Sequence, residues 1–164
     1  MTDGLLRARS VDELHLYLDL AGWRPERTHR LTVVGGQMQA VYRGQRGDGA
    51  AVEAWFAPVP ALPRTAPSVL IDAAQWYRLA TELAQTVPAG QGGTHPAAQE
   101  RLRQAIAYLE EVLRFAPDGA EALPASAFWS KDGRAAWERE PARFDVAMLD
   151  AEARTWRSLL VRAG

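Results

Sequence analysis

A chain of 164 residues suits one domain, or one domain with a small appendage. Its 48% hydrophobic and 24% charged residues are ordinary for a folded globule, and a net charge of −1 supplies no overall attraction for nucleic acid or anionic lipid. With no cysteine, disulfides, thiolate metal sites and cysteine nucleophiles are excluded.

No apolar run approaches the ~18 residues of a membrane span, and Met1 to Ser10 lack the apolar core of an export signal. These features read as a cytoplasmic protein with no membrane partner. Lys131 is the sole lysine, and the arginines are scattered among acids, a pattern of codon bias rather than of a phosphate-binding patch.

Ser10 followed by Glu13 resembles a capping box and predicts a helix to about Ala21, with Val11, Leu14 and Leu18 on one face. A strand pattern competes, because Leu14, Leu16, Leu18 and Leu20 alternate with polar residues. Leucine's helix preference and Gly22 as a C-cap decide for helix.

From Leu31 to Phe56 the period becomes two. Leu31–Val34 and Gln37–Tyr42 flank Gly35-Gly36, whose positive φ suits a tight hairpin. Met38, Ala40 and Tyr42 share a face. A second turn over Gly44–Gly49 leads into Ala50, Val52, Ala54 and Phe56, which completes a three-stranded antiparallel meander. Its Arg46-Gly47-Asp48 spells an adhesion tripeptide but reads as the hairpin turn itself. Pro58, Pro60, Pro63 and Pro67 make a stiff connector, and Val69–Ile71 offers a short fourth strand.

Asp72 with Gln75 forms another capping box, opening a helix whose seam is Ala73, Trp76, Ala80, Leu83 and Val87 and which Pro88 ends. After the glycine-rich loop Ala89–His95, Pro96 begins a helix with Leu102, Ala105, Leu109, Val112 and Ala116 on its seam. Lys131-Asp132-Gly133 reads as a turn between short helical pieces over 120–140. A last helix from about Pro141 to Arg162 carries Val146, Leu149, Ala153, Trp156 and Leu160.

The expected architecture is therefore α+β: an N-terminal helix, the meander, then a bundle of three longer helices packed on or beside the sheet. We expect a single domain over 1–164, with helix and sheet in 1–57, the Pro-rich connector in 58–71 and the helical part in 72–164. Leu79, Ile106, Leu113, Phe144, Met148 and Leu159 widen the apolar faces, for contact with the sheet or with a second copy of the chain.

No constellation for catalysis emerges. His15, His29 and His95 stand in separate segments without ligand spacing, and Asp12, His15 and Asp19 read better as a solvated helix stripe than as a metal site. Glu110 and Glu111 point about 100° apart, and His95 lies about 22 Å from them along the helix at ~1.5 Å per residue. The serines show no Gly-x-Ser-x-Gly elbow. No cofactor or metal is expected.

The six tryptophans carry the binding argument. Trp76 and Trp156 sit on seams. Trp55 falls on the strand face opposite Phe56. Trp129, Arg134 and Trp137, with Lys131, place aromatics among bases, while Asp132, Glu138 and Glu140 cancel the charge that single-stranded nucleic acid would need. The first expectation is a non-catalytic protein-binding module using Trp55, Trp129, Arg134 and Trp137, with self-association secondary. The alternative is a small-molecule binder or enzyme with a pocket between sheet and helices, drawing on Tyr42, Tyr77, Tyr108 and Glu53 and closed by the loop Gly90–Gly93.

Overall fold

The computed structural model describes residues 5–88 and 95–161. The protein is α+β: an N-terminal helix, a three-stranded antiparallel sheet, then a run of helices. It divides into two compact units, residues 1–70 and 71–164. The expected loop Gly90–Gly93 lies outside the described residues. No helix among them is long and apolar enough to cross a membrane.

In the first unit, α1 spans Val11–Leu20, and the Ser10 hydroxyl accepts the Glu13 N–H, as the capping signal predicts. Gly22, at φ 73°, follows the helix end. Leu14 and Leu18 are buried. Val11, the first helical residue, stays exposed, and Glu13 occupies a buried position instead. That carboxylate accepts the backbone N–H of Arg9 at 2.6 Å and the Arg9 side chain through Nε and Nη2 at 2.9 and 2.7 Å. Arg9 also donates from Nη1 to the Ala66 carbonyl at 2.8 Å, which ties the proline-rich connector down.

The sheet order is β1 (Trp23–Val34), β2 (Gln37–Arg46), β3 (Ala51–Phe56). Both Gly35 and Gly36 have positive φ, as a two-residue hairpin turn requires. β1 begins eight residues before the alternation becomes visible at Leu31, across an irregularity in register between Pro25 and His29. Tyr42 pairs with Ala54, and Ala40 with Phe56, so the buried face collects Ala40, Tyr42, Ala54 and Phe56. Tyr42 meets His15 of α1 edge-on at 5.8 Å and Phe56 at 5.5 Å. At Arg46–Asp48 the chain turns as expected, with the Asp48 carboxylate accepting the Ala50 N–H. Val69–Ile71 adds no strand: the Ser68 hydroxyl takes the Leu70 N–H, and the chain bends towards the cap at Asp72.

In the second unit, α2 (Ala73–Gln85) packs on α3 (Pro96–Leu113), α3 on α5 (Val146–Val161), and the short α4 (Lys131–Arg139) against α2. Along the expected seams Ala73, Trp76, Ala80, Leu102, Ala105, Leu109, Val112, Leu149 and Ala153 are buried, whereas Leu83, Val146, Trp156 and Leu160 are half-buried and Val87 and Ala116 fall beyond the ends of α2 and α3. Of the residues widening those faces, Ile106 and Phe144 are buried, whereas Met148 and Leu159 are exposed on α5.

Two expectations are corrected here. Pro141–Phe144 is a separate 3-10 turn, because Asp145 turns extended and bridges Ala122 before α5 begins. Lys131-Asp132-Gly133 is no turn but the start of α4, capped by the Ser130 hydroxyl on the Gly133 N–H. The glycine serves a close approach. A Cβ at Gly133 would collide with the carboxylate of Asp72, a residue with no exposed surface. Asp72 in turn caps α2 through the Gln75 N–H and accepts the Ser130 N–H, each at 2.9 Å.

Candidate functional site

Two surfaces stand out, one in each unit. In the first, β1 is an edge strand, and of β2 only residues 40–45 pair with β3. The turn-proximal ends of β1 and β2 therefore form a two-stranded ribbon, an arrangement marginal in water unless something covers it. Val33 lies directly across from Met38, and Leu31 from Ala40. Leu31, Val33 and Met38 thus share one face, at 55%, 66% and 53% exposure, and Val34 is exposed on the other. No proline or lysine interrupts Arg30–Val34, although edge strands commonly carry such guards. Trp55 is exposed on the face opposite Phe56, as its register demands, and lies across from Val41.

In the second unit, a cleft of about 240 Å³ opens between one face of α2 and the segment from α4 to Phe144. Ala74, Tyr77, Arg78 and Thr81 fall on one helical stripe of α2, and Asp132, Ala136 and Arg139 on one of α4. The small side chains at Ala74, Gly133 and Ala136 make the room. Tyr77 and Phe144 meet edge-to-face at 5.5 Å in its wall. Phe144 continues inward to Phe128 at 4.7 Å, and Phe128 stacks on Trp137 at 5.9 Å.

Three guanidinium groups rim this cleft against the carboxylates of Asp132 and Glu140. Arg143 lies 5.7 Å above the Tyr77 ring and pairs with Glu140 at 2.6 Å. Arg78 reaches Glu82 at 3.8 Å. Arg139 has no ion pair among the described residues. Tyr77 donates its hydroxyl to Glu152 at 3.0 Å. Burial first, then the Glu152 charge, push that phenol up to about 12, so near neutral pH it is a fixed donor and no proton acceptor.

The residues expected to bind a partner are divided. Trp129 and Arg134, with Lys131, Ala135 and Glu138, border an open hollow of about 480 Å³ beside α4, and the indole of Trp129 is 42% exposed and backed by Phe115. Trp137 turns the other way, half-buried on Phe128, and lines neither the hollow nor the arginine-rimmed cleft. Trp55 belongs to the first unit.

Nor do the four polar residues expected of a pocket converge. Tyr42 is buried against His15 and Phe56, while Glu53 is exposed and paired with Arg43 at 2.9 Å across the opposite strand face. Tyr108 packs on Trp76. Of the four, Tyr77 lines the cleft between α2 and α4. Among the described residues no three His, Asp or Glu side chains are grouped to hold a metal ion.

The arginine rim was hidden in sequence because Arg78 and Arg143 are 65 residues apart and each stands among acids. The ribbon is half visible in sequence, in the β-branched, apolar-rich stretch Leu31–Val34. No protein family, no curated protein and no solved structure matches this chain.

Proposed function

We propose that the protein is a non-catalytic protein-binding module that takes an extended segment of its partner along the edge of β1. The observation that carries the reading is the exposed apolar row formed by Leu31 and Val33 on the edge strand β1 and Met38 across from them on β2. Covering these half-exposed side chains is worth roughly 2–5 kcal/mol, since a full burial yields about 1.5–3 kcal/mol each. That falls short of the roughly 8 kcal/mol of a micromolar complex. Backbone N–H and C=O groups along β1 supply the rest when a strand is added, and the alternating side chains supply selectivity. The expected partner segment is extended, with apolar residues at every second position.

Trp129 and Arg134 remain a second contact in this reading, supported by the exposure of the indole beside a basic side chain. The experiment is capture from the native host with the full chain, the Val33→Glu form and the Trp129→Ala form, followed by hydrogen exchange on the recovered complex. We expect a stoichiometric partner that is lost with Val33→Glu and that protects the amides of residues 30–34. A complex that survives Val33→Glu and leaves those amides unprotected removes the edge reading. Recovery of the chain itself assigns the edge to self-association.

A further inference from the structure

The cleft beside α4 has the makings of a ligand site, independent of the β1 edge. Its volume of about 240 Å³ lies below the roughly 300–1,000 Å³ of drug-sized pockets, yet above the ~150 Å³ void that already admits benzene. One ring with a short substituent fits; a nucleotide does not. The walls are apolar where Ala74, Ala136 and Phe144 line them, and polar at the guanidinium rim.

The charges point the same way. Three arginines line the cleft: Glu140 takes Arg143 and Glu82 takes Arg78, while Arg139 has no ion pair among the described residues. A guanidinium is a planar fork that matches a carboxylate through two parallel hydrogen bonds. Tyr77 already donates its hydroxyl to Glu152, which leaves the guanidinium of Arg139 as the donor that meets a ligand.

We infer that the cleft between α2 and α4 binds a small aromatic carboxylate, with the ring between Ala74 and Ala136 and the carboxylate on Arg139. The ring has aromatic neighbours in Tyr77 and Phe144.

The test is a nitrogen-15 NMR titration of the full chain with benzoate and phenylacetate, against benzamide and phenylacetamide as uncharged counterparts. Saturable shifts are expected at the amides of Ala74, Arg78, Gly133 and Ala136, with the acids binding about tenfold or more tighter than the amides. Arg139→Gln, on the exposed rim, should weaken the acids by about tenfold and leave the weak binding of the amides unchanged. Ala136→Leu fills the cleft with a good helix former and should abolish binding of both. Acids and amides binding alike, shifts elsewhere, no saturable shift with either acid, or unchanged binding in Arg139→Gln would each overturn the assignment.

Discussion

Each unit begins a helix on a buried acid, and the two solve the same problem differently. Glu13 in α1 keeps a cation four residues away: with Arg9 it makes an ion pair at 2.7 Å, the side chains 5% and 4% exposed. Asp72 at the start of α2 takes neutral donors, the N–H of Gln75 on one oxygen and the N–H of Ser130, 58 residues along the chain, on the other. A buried acid must be compensated, because an unmade bond costs more than a made one returns. The first solution ties the acid to one neighbouring residue, through both its side chain and its backbone N–H. The second ties it to backbone, and so to the absence of a side chain at Gly133.

The comparison is broken most severely at the first site. Arg9→Met leaves Glu13 buried without its cation, and we expect a loss of about 3–5 kcal/mol in urea unfolding. Arg9→Met with Glu13→Leu should regain most of it, since an apolar pair of similar volume often matches a buried ion pair. A double variant no better than the single would show that the Arg9 bond to the Ala66 carbonyl outweighs the pair.

Next comes the glycine. In an ordinary helix Gly→Ala gains up to about 1 kcal/mol. At Gly133 the new Cβ meets the Asp72 carboxylate, and Gly133→Ala should cost about 2–4 kcal/mol instead. Asp72→Ala alone should lose a similar amount, through the cap and the orphaned Ser130 N–H. In the Asp72→Ala background, adding Gly133→Ala should become neutral or favourable. A double-mutant cycle by urea unfolding measures this; additive losses would mean the two residues do not compete for the same space.

These two sites also mark what could be read from sequence. Ser10 and Asp72 announce their helices because capping is local, settled within four residues. The seams on α2, α3 and α5 are legible for the same reason, being periodicities within one element. At Gly133 the local rule that glycine favours turns points the wrong way, because the reason for this glycine lies 61 positions upstream in Asp72. The first half of β1 escaped notice because Pro25 and a run of charged residues mask a strand that pairing with β2 nevertheless holds. Trp137 was grouped with Trp129 by proximity in sequence, whereas helix geometry sends it towards Phe128. The arginine-rimmed cleft was not legible at all, since it exists only once α2 and α4 meet.

A smaller effect follows from Tyr77, a partly buried group held by its bond to Glu152. Its folded-state pKa is raised above the ordinary value of 10.0 to about 12, so the native state holds that proton more tightly than the unfolded chain. The resulting stabilisation is complete below pH 10 and is lost as pH rises towards 12. Tyr42, raised by burial, adds in the same direction. Tyr77→Phe should therefore flatten the decline of the urea midpoint over that range. An unchanged slope would place the dependence on Tyr42 alone.

The smallest expected effect sharpens the comparison best. Arg157 and Glu110 join α5 to α3 at 2.7 Å, the same separation as Arg9 and Glu13, but their side chains are 48% and 49% exposed. Water already solvates both partners, so little is lost when one is removed, and salt screens what remains. Arg157→Met should cost no more than ~1 kcal/mol and less still at high salt, whereas the loss from Arg9→Met should be nearly independent of salt. Urea unfolding of both variants at low and high ionic strength makes the measurement. Equal losses at the two sites would mean that distance rather than burial sets the worth of an ion pair here, and the account of Glu13 given above would fall with it.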